Sequence, residues 1–215
     1  MIFTEKTKMF LHKTNFLMRS LYPNFVWRKA TQEQVIYLTF DDGPIPEVTE
    51  FVIETLAKYN AKATFFCIGN NIQKHPDIFQ KVINGGHAVE NHTFNHLKGW
   101  ATDDKVYLEN IAQCKDEMAS RGVVTKLFRP PYGRIKRSQS NVLLPDYQIV
   151  MWDVLSGDFS LNLSPQTVLE KTLKHTEAGS IVLFHDSIKA NVNMSYALPR
   201  FLEHFSEKEF RFERL

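Results

Sequence analysis

The run Val35-Ile36-Tyr37-Leu38-Thr39-Phe40-Asp41-Asp42-Gly43-Pro44 carries the plainest structural signal in the chain. Its apolar, β-branched and aromatic residues predict a buried strand. The strand stops at two carboxylates and a Gly-Pro turn, which places Asp41 and Asp42 at its carboxyl end. Adjacent like charges are costly to bury unless a cation, a proton or a hydrogen-bond donor compensates them. Neighbouring side chains on a strand point in different directions, so the two carboxylates are expected to serve different purposes.

Outward from this strand, the chain alternates strand-like and helix-like patterns. A helix is predicted over 47–59, a strand over 62–68, a helix over 72–83 stopped by Asn84-Gly85-Gly86, and a short strand over 87–90. A helix over 103–120 follows, beginning at Thr102 or Asp103. Strands over 125–128, 148–152 and 180–184 bracket a helix opened by Ser164-Pro165, and the tail offers a helix near 196–205 and a last strand near 210–215. There is no Gly/Ser/Pro-rich linker and no internal repeat. Alternation of this kind with short loops predicts an α/β domain with a parallel sheet, as a barrel or an open sheet. Polar residues collect after five strands (Asp41/Asp42, His92/His96, Arg129/Tyr132, Asp158, His185), where active sites sit in such folds. That coincidence favours a barrel-like mouth.

The totals exclude several classes. The 215 residues fit one domain, and 43% hydrophobic with 23% charged residues is the composition of a globular protein. A formal charge of +2 says little about partners, and no basic tract stands out as a nucleic-acid footprint, so no nucleic acid is expected. Of the two cysteines, Cys67 lies in the apolar run Ala63–Ile68, so a packed thiol is expected rather than a disulfide. The N-terminal segment, residues 1–33, shows no secretory signal and no spanning helix, which on sequence points to the cytoplasm. Up to residue 29 it carries six Lys/Arg against Glu5, a pattern that fits either a membrane surface or a short helix packed on the domain. Interruption of its apolar residues by Lys13 and Arg19 rules out a spanning helix, and the packed helix is the expected form.

Chemistry enters with His92 and His96, whose spacing of four would put both imidazoles on one face of a helical turn. Two imidazoles and a carboxylate leave open positions on a divalent ion, the layout of a catalytic zinc site. Thr93 stands where a metalloprotease carries Glu, so the base must come from elsewhere, and one of the aspartates can supply it. Arg129, ahead of the rigid Pro130-Pro131-Tyr132 turn, needs an anion, and the paired aspartates are the candidates. His185 ends an apolar strand, so its ring is expected at the same mouth. His12, His75, His87, His175 and His204 have no such company and are expected to be structural or solvent-exposed.

Thr39-Phe40-Asp41-Asp42-Gly43-Pro44, His92-Thr93-Phe94-Asn95-His96, Arg129-Pro130-Pro131-Tyr132-Gly133, Trp152 through Phe159, and Leu183-Phe184-His185-Asp186 occur in that order. In this the chain resembles the polysaccharide deacetylases of carbohydrate esterase family 4, the NodB-homology domain, over residues 34–215. The resemblance implies a distorted (β/α) barrel of about seven parallel strands and a metal-dependent hydrolase that removes acetyl groups from N-acetylated sugars. It makes Asp42, His92 and His96 the metal ligands, for Zn2+ or alternatively Co2+, Ni2+ or Fe2+. It makes Asp41 the general base held by Arg129, the N–H of Tyr132 after Pro131 an oxyanion donor, and His185, supported by Asp158, the acid. Leu183, Trp152 and Phe159 would wall the pocket for the acetyl methyl.

The fourth motif departs from the family pattern, with Leu155 where an Asp is common and Phe159 where a Trp is common. Loss of the indole removes a stacking surface and an N–H donor, which bears on the substrate rather than the reaction. The implied partner is an acetylated glycan such as peptidoglycan or a chitin-like oligomer. O-acetylated xylan, a non-sugar amide, or glycan binding without turnover are the other readings. Retention of Asp41, Arg129, Asp158 and His185 argues against pure binding. The family usually acts on the envelope or outside the cell, against the cytoplasmic indication of the N-terminus.

Overall fold

The structure, a computed structural model, describes residues 10–215. In chain order its elements are α1 (Phe16–Leu21), β1 (Val35–Asp41), α2 (Val48–Lys58), β2 (Thr64–Cys67), α3 (Gly69–Lys74), α4 (Pro76–Asn84), β3 (Ala88–Asn91), α5 (Asp104–Ala119), β4 (Leu127–Phe128), α6 (Arg137–Leu143), β5 (Gln148–Ile149), β6 (Val154–Leu155), α7 (Pro165–His175), β7 (Ile181–His185), α8 (Asn191–Ser206) and β8 (Arg211–Glu213). Seven strands lie in the order β5-β4-β3-β2-β1-β7-β6, and β8 pairs with the first residues of β1 off that path. Every strand pairing is parallel. The sheet curls into a distorted (β/α) barrel with helices outside, as the motif order predicts.

Alternation along β1 sorts the site from the core. Ile36, Leu38 and Phe40 point outward into the main apolar cluster, which also takes Val52 and Leu56 of α2 and Leu198, Phe201 and Leu202 of α8. Phe40 stacks on Phe65 of β2 at 5.0 Å and on Phe184 of β7 at 6.1 Å. Side chains of this kind contribute roughly 1.5–3 kcal/mol each on full burial. The alternate residues Tyr37, Thr39 and Asp41 face the barrel interior, where Tyr37 packs with Phe66 and Ile181 and Thr39 bonds Arg129. Parity therefore sends Asp41, and by the same count His185 at the end of β7, toward the inner mouth.

Local chemistry sets the element ends. Asp103 caps α5 by accepting from Lys105 N–H at 3.0 Å, and Ser164 caps α7 by accepting from Thr167 N–H at 3.1 Å. His75-Pro76 divides the helix predicted over 72–83 into α3 and α4, because Pro76 suits the first helical position and interrupts a helix interior. The strand predicted over 148–152 is shorter: β5 ends at Ile149, and β6 forms beyond Asp153. Helix α6 follows the Pro-Tyr-Gly turn in a stretch for which the sequence reading assigns no element.

Residues 10–28 of the N-terminal segment work as a strap, and its first nine residues, with Glu5, Lys6 and Lys8, lie outside the described residues. Val26 bonds the β5 edge, its N–H donating to Ile149 C=O at 2.9 Å and its C=O accepting from Met151 N–H at 2.7 Å. At the other edge, Thr14 N–H donates to Asp153 C=O and Leu155 N–H donates to His12 C=O, both at 2.9 Å. Both open edges of the sheet are thereby covered, which is how a sheet that stops short of closure avoids exposed ladder groups. The predicted helix exists as α1, but it buries none of its own residues, and Phe16, Leu17 and Leu21 stand exposed. Phe25 and Trp27, beyond it, do the packing. No described helix is long and apolar enough to cross a membrane.

Candidate active site

Arg129 sits at the bottom of the mouth and is fully buried. Nη1 donates to Asp41 Oδ1 and to Thr39 Oγ1, both at 2.8 Å, Nη2 donates to Met151 C=O at 2.8 Å, and Nε donates to Val150 C=O at 3.2 Å. Its guanidinium lies 4.1 Å from the centre of the Phe66 ring. Burial pulls the Arg129 pKa down, and the Asp41 carboxylate offsets only part of that shift. Five contacts leave Arg129 one orientation, and Asp41 is held by it. The other carboxylate oxygen, Oδ2, is 3.8 Å from His92 Nε2.

Asp42 turns the opposite way because its backbone is at φ 89°, and Asn71 Nδ2 donates to its C=O at 2.7 Å. Its Oδ1 lies 3.2 Å from His96 Nε2 and 3.8 Å from His92 Nε2, yet this buried oxygen has no aligned hydrogen bond. Burial disfavours ionisation of Asp42, but contact with His96 and the fields of His185 and His92 outweigh it and hold the carboxyl well below its usual range. One atom each from Asp42, His92 and His96 lies within 4.8 Å of the others. His92 Nδ1 is 2.7 Å from Arg129 C=O, an acceptor only, so Nδ1 carries the proton and Nε2 presents its lone pair. Burial first, with His96 adding to it, depresses the His92 pKa to about 4 and keeps the ring neutral. An orphaned carboxylate oxygen beside an imidazole lone pair is the donor chemistry a divalent cation takes.

The helical turn expected for His92 and His96 is not formed. Both lie in a loop with Thr93 at φ 65° and His96 at φ 56°, and their rings meet at 5.1 Å. Side chains displace the helix bonds: Asn91 Oδ1 accepts from Thr93 N–H at 2.9 Å, and Asn110 Oδ1 of α5 accepts from Phe94 and Asn95 N–H at 3.0 and 2.9 Å.

Beside Asp41, on the neighbouring strand, His185 is its register partner between β1 and β7. Its Nδ1 donates to Asp158 Oδ1 and its backbone N–H to Asp158 Oδ2, both at 2.8 Å. Burial alone would lower the His185 pKa, but the Asp158 charge and hydrogen bond overturn it, with smaller help from Asp42 and Asp41, and push it up to about 9. Tyr132 stands at φ 60° in the tight turn after buried Pro131, its ring 4.6 Å from that of His96. Among the described residues its N–H reaches no backbone acceptor. Trp152 borders that turn, since a Cβ on Gly133 would come within 2.5 Å of it. Phe159 meets His185 edge-on at 5.2 Å, and Leu183 precedes His185 on the inward face of β7.

Several contributors escape the sequence reading. Asp186 is buried and takes Gly43 N–H at 3.0 Å and the Thr49 hydroxyl at 2.7 Å, with burial pushing its pKa up to about 8. A Cβ on Gly43 would fall 1.9 Å from its Oδ2, which is why the turn after Asp42 needs glycine. Phe10 packs on Phe159 at 5.1 Å, in space left by Gly157. The fourth motif thus receives an aromatic ring from the N-terminal strap. His87 accepts from Ala63 N–H at 3.2 Å and is depressed to about 4 by burial, the structural role expected for it.

A family model described as polysaccharide deacetylase matches residues 28–144. The chain is 32% identical over 189 residues to a peptidoglycan-N-acetylglucosamine deacetylase of Bacillus cereus, an alignment covering 86% of this chain and 88% of that protein. The chain belongs to the polysaccharide deacetylases of carbohydrate esterase family 4. A chitooligosaccharide deacetylase of Azorhizobium caulinodans is 37% identical over 163 residues, 74% of this chain and 77% of that one. The crystal structure of the Bc1960 peptidoglycan N-acetylglucosamine deacetylase superposes with a TM-score of 0.86 at 29% identity, covering 94% of this chain and 95% of the other. The family model ends before Asp158 and His185, so the match on that wall rests on the relatives that extend across it.

Proposed function

We propose that this polysaccharide deacetylase hydrolyses the acetamide of an N-acetylated sugar in a glycan such as peptidoglycan or a chitin-like oligomer. One observation carries the reading: a carboxylate clamped by a buried arginine and an imidazole clamped by a buried carboxylate stand side by side at the ends of β1 and β7, with the Asp42, His92 and His96 donor set beside the carboxylate. Relatives named for peptidoglycan and for chitooligosaccharides support the substrate class.

Asp42, His92 and His96 would hold a divalent cation, Zn2+ by donor chemistry, with Co2+, Ni2+ and Fe2+ accommodated by the same set. When bound, such an ion supplies a Lewis acid and a water of lowered pKa. Asp41, oriented by Arg129, takes the proton of the attacking water as a new carbon–oxygen bond forms at the acetyl carbon. The N–H of Tyr132 donates to the oxygen that gathers negative charge. His185, held protonated by Asp158, gives its proton to the sugar nitrogen as the carbon–nitrogen bond breaks, and acetate and a free amine leave. Leu183, Trp152 and Phe159 exclude water around the methyl group.

The test is acetate release from peptidoglycan, chitooligosaccharides and acetylated xylan, with and without added metal, for the parent and His92→Ala. Metal-dependent release from N-acetylated chains by the parent alone is expected. Release from xylan only, or equal rates in both proteins, would overturn the proposal.

A further inference from the structure

Beside the mouth, two loops present a row of cations and aromatic rings that the chemistry above does not use. Lys98 and Trp100 follow β3, and Tyr132 and Arg134 follow β4, and all four side chains are exposed. Lys98 Nζ lies 5.9 Å from the centre of the Tyr132 ring, which itself packs on His96. Arg134 Cζ lies 4.4 Å over the Trp100 ring. The two loops are locked together: Trp100 Nε1 donates to Ile135 C=O at 2.8 Å, and Gln139 Nε2 donates to Gly99 C=O at 3.1 Å. A Cβ on Gly99 would come within 2.6 Å of Arg134 C=O, so the approach is as close as backbone permits.

Neighbouring charges in these loops are spoken for, since Lys136 pairs with Asp104 at 3.0 Å and Asp103 caps α5. Among the described residues, Lys98 and Arg134 have no carboxylate within ion-pair distance, and each is steadied only by an aromatic face. Exposed rings offer a sugar its stacking surface, and a stacked guanidinium is pre-oriented for a carboxylate. We propose that Lys98, Trp100 and Arg134, with the Tyr132 ring, form a subsite for a carboxylate-bearing sugar flanking the N-acetylated one. The preferred substrate is then an acidic glycan, such as chains alternating N-acetylglucosamine with a lactyl-bearing sugar, over neutral chitin or xylan. This rests on the deacetylase reading.

The test compares kcat/KM for a neutral N-acetylglucosamine oligomer and for peptide-free peptidoglycan strands of similar length with free lactyl carboxylates. It uses the metal-loaded full chain at low and at physiological salt. The parent should prefer the acidic strand, and the preference should shrink as salt screens exposed charges. In Lys98→Gln/Arg134→Gln the acidic-to-neutral ratio should fall about fivefold to tenfold, the scale of two exposed charge contacts. Lys98→Arg should retain it. Lys171→Gln/Lys174→Gln on α7 makes the same change in net charge away from these loops and should leave the ratio in place. A parent without acidic preference, a double variant with the parental ratio, or an equal fall in the α7 pair would overturn the subsite. If the parent releases acetate from neither chain, the deacetylase reading fails, and the subsite is judged by calorimetric titration with the acidic strand. Tighter binding by the parent than by Lys98→Gln/Arg134→Gln supports it, and equal binding overturns it.

Discussion

Adjacent carboxylates with opposite environments stand at the head of the proposed site. Asp41 is locked by Arg129, whereas Asp42 offers a buried oxygen without an aligned donor. Asp41→Asn should therefore keep the metal and lose about a hundredfold to ten-thousandfold in rate, the usual cost of removing a general base. Asp42→Asn should lose metal first. Metal analysis and acetate release on the two variants separate these effects, and near-parental turnover in Asp41→Asn would show that another group is the base. His185 gives a second prediction. With its pKa raised from 6.5 to about 9, its stabilising contribution is complete below pH 6.5 and is lost as pH rises through 9. Activity that needs imidazolium should fall over that upper range. Asp158→Asn removes the largest supporting charge, so the alkaline limb of kcat/KM should move to lower pH while the acid limb stays. A limb that stays put or moves upward would mean that Asp158 does not tune His185.

At the scale of elements, the loop from His92 to His96 shows how side chains override a helical spacing. Asn110 reaches from α5 to bond two consecutive loop N–H groups; Phe94 N–H also donates to the Asn110 backbone C=O at 3.1 Å, whereas Asn95 N–H depends on the side chain. Asn110→Ala should cost about 1 kcal/mol in unfolding free energy, the net contribution of the one part-buried hydrogen bond that Asn95 N–H would lose. It should also weaken metal retention about tenfold or more, as loss of groups that orient ligands does. Denaturant titration and chelator competition measure the two, and unchanged retention in a destabilised variant would show that the loop holds its shape without Asn110. Strand β1, by contrast, was legible directly, because its run of apolar, β-branched and aromatic residues and the Gly-Pro turn that stops it are local. Helix α6 and strand β6 were not legible, because one follows a Pro-rich turn and the other spans only two residues.

Across the whole molecule, the N-terminal strap ties the two sheet edges together. Asp153, fully buried, binds Lys13 and Arg19 of the strap and Ser180 ahead of β7. Asp153→Ala should destabilise the fold by about 2–3 kcal/mol, somewhat under the cost of breaking a fully buried pair, because the two cations keep partial access to water. For a chain of this size that is a fall in melting temperature of roughly 4–12 °C. Cleavage by protease within residues 10–28 should rise with it. An unchanged melting temperature would show that the edge hydrogen bonds hold the strap alone.

The sequence by itself determined the α/β class, most of the order of strands and helices, the polar residues collected at the strand ends and the family. Each of these is written in consecutive residues, as alternation, turn chemistry and short motifs. Only the tertiary structure decided that Thr39 and the Met151 carbonyl share the Arg129 guanidinium with Asp41, since those contacts join positions far apart in the chain. It also decided that Phe10 backs Phe159 and that residues 12–14 and 26 cover the sheet edges. These follow from packing and hydrogen-bond satisfaction across the whole chain, where each partner is chosen by the space and the unpaired groups the others leave.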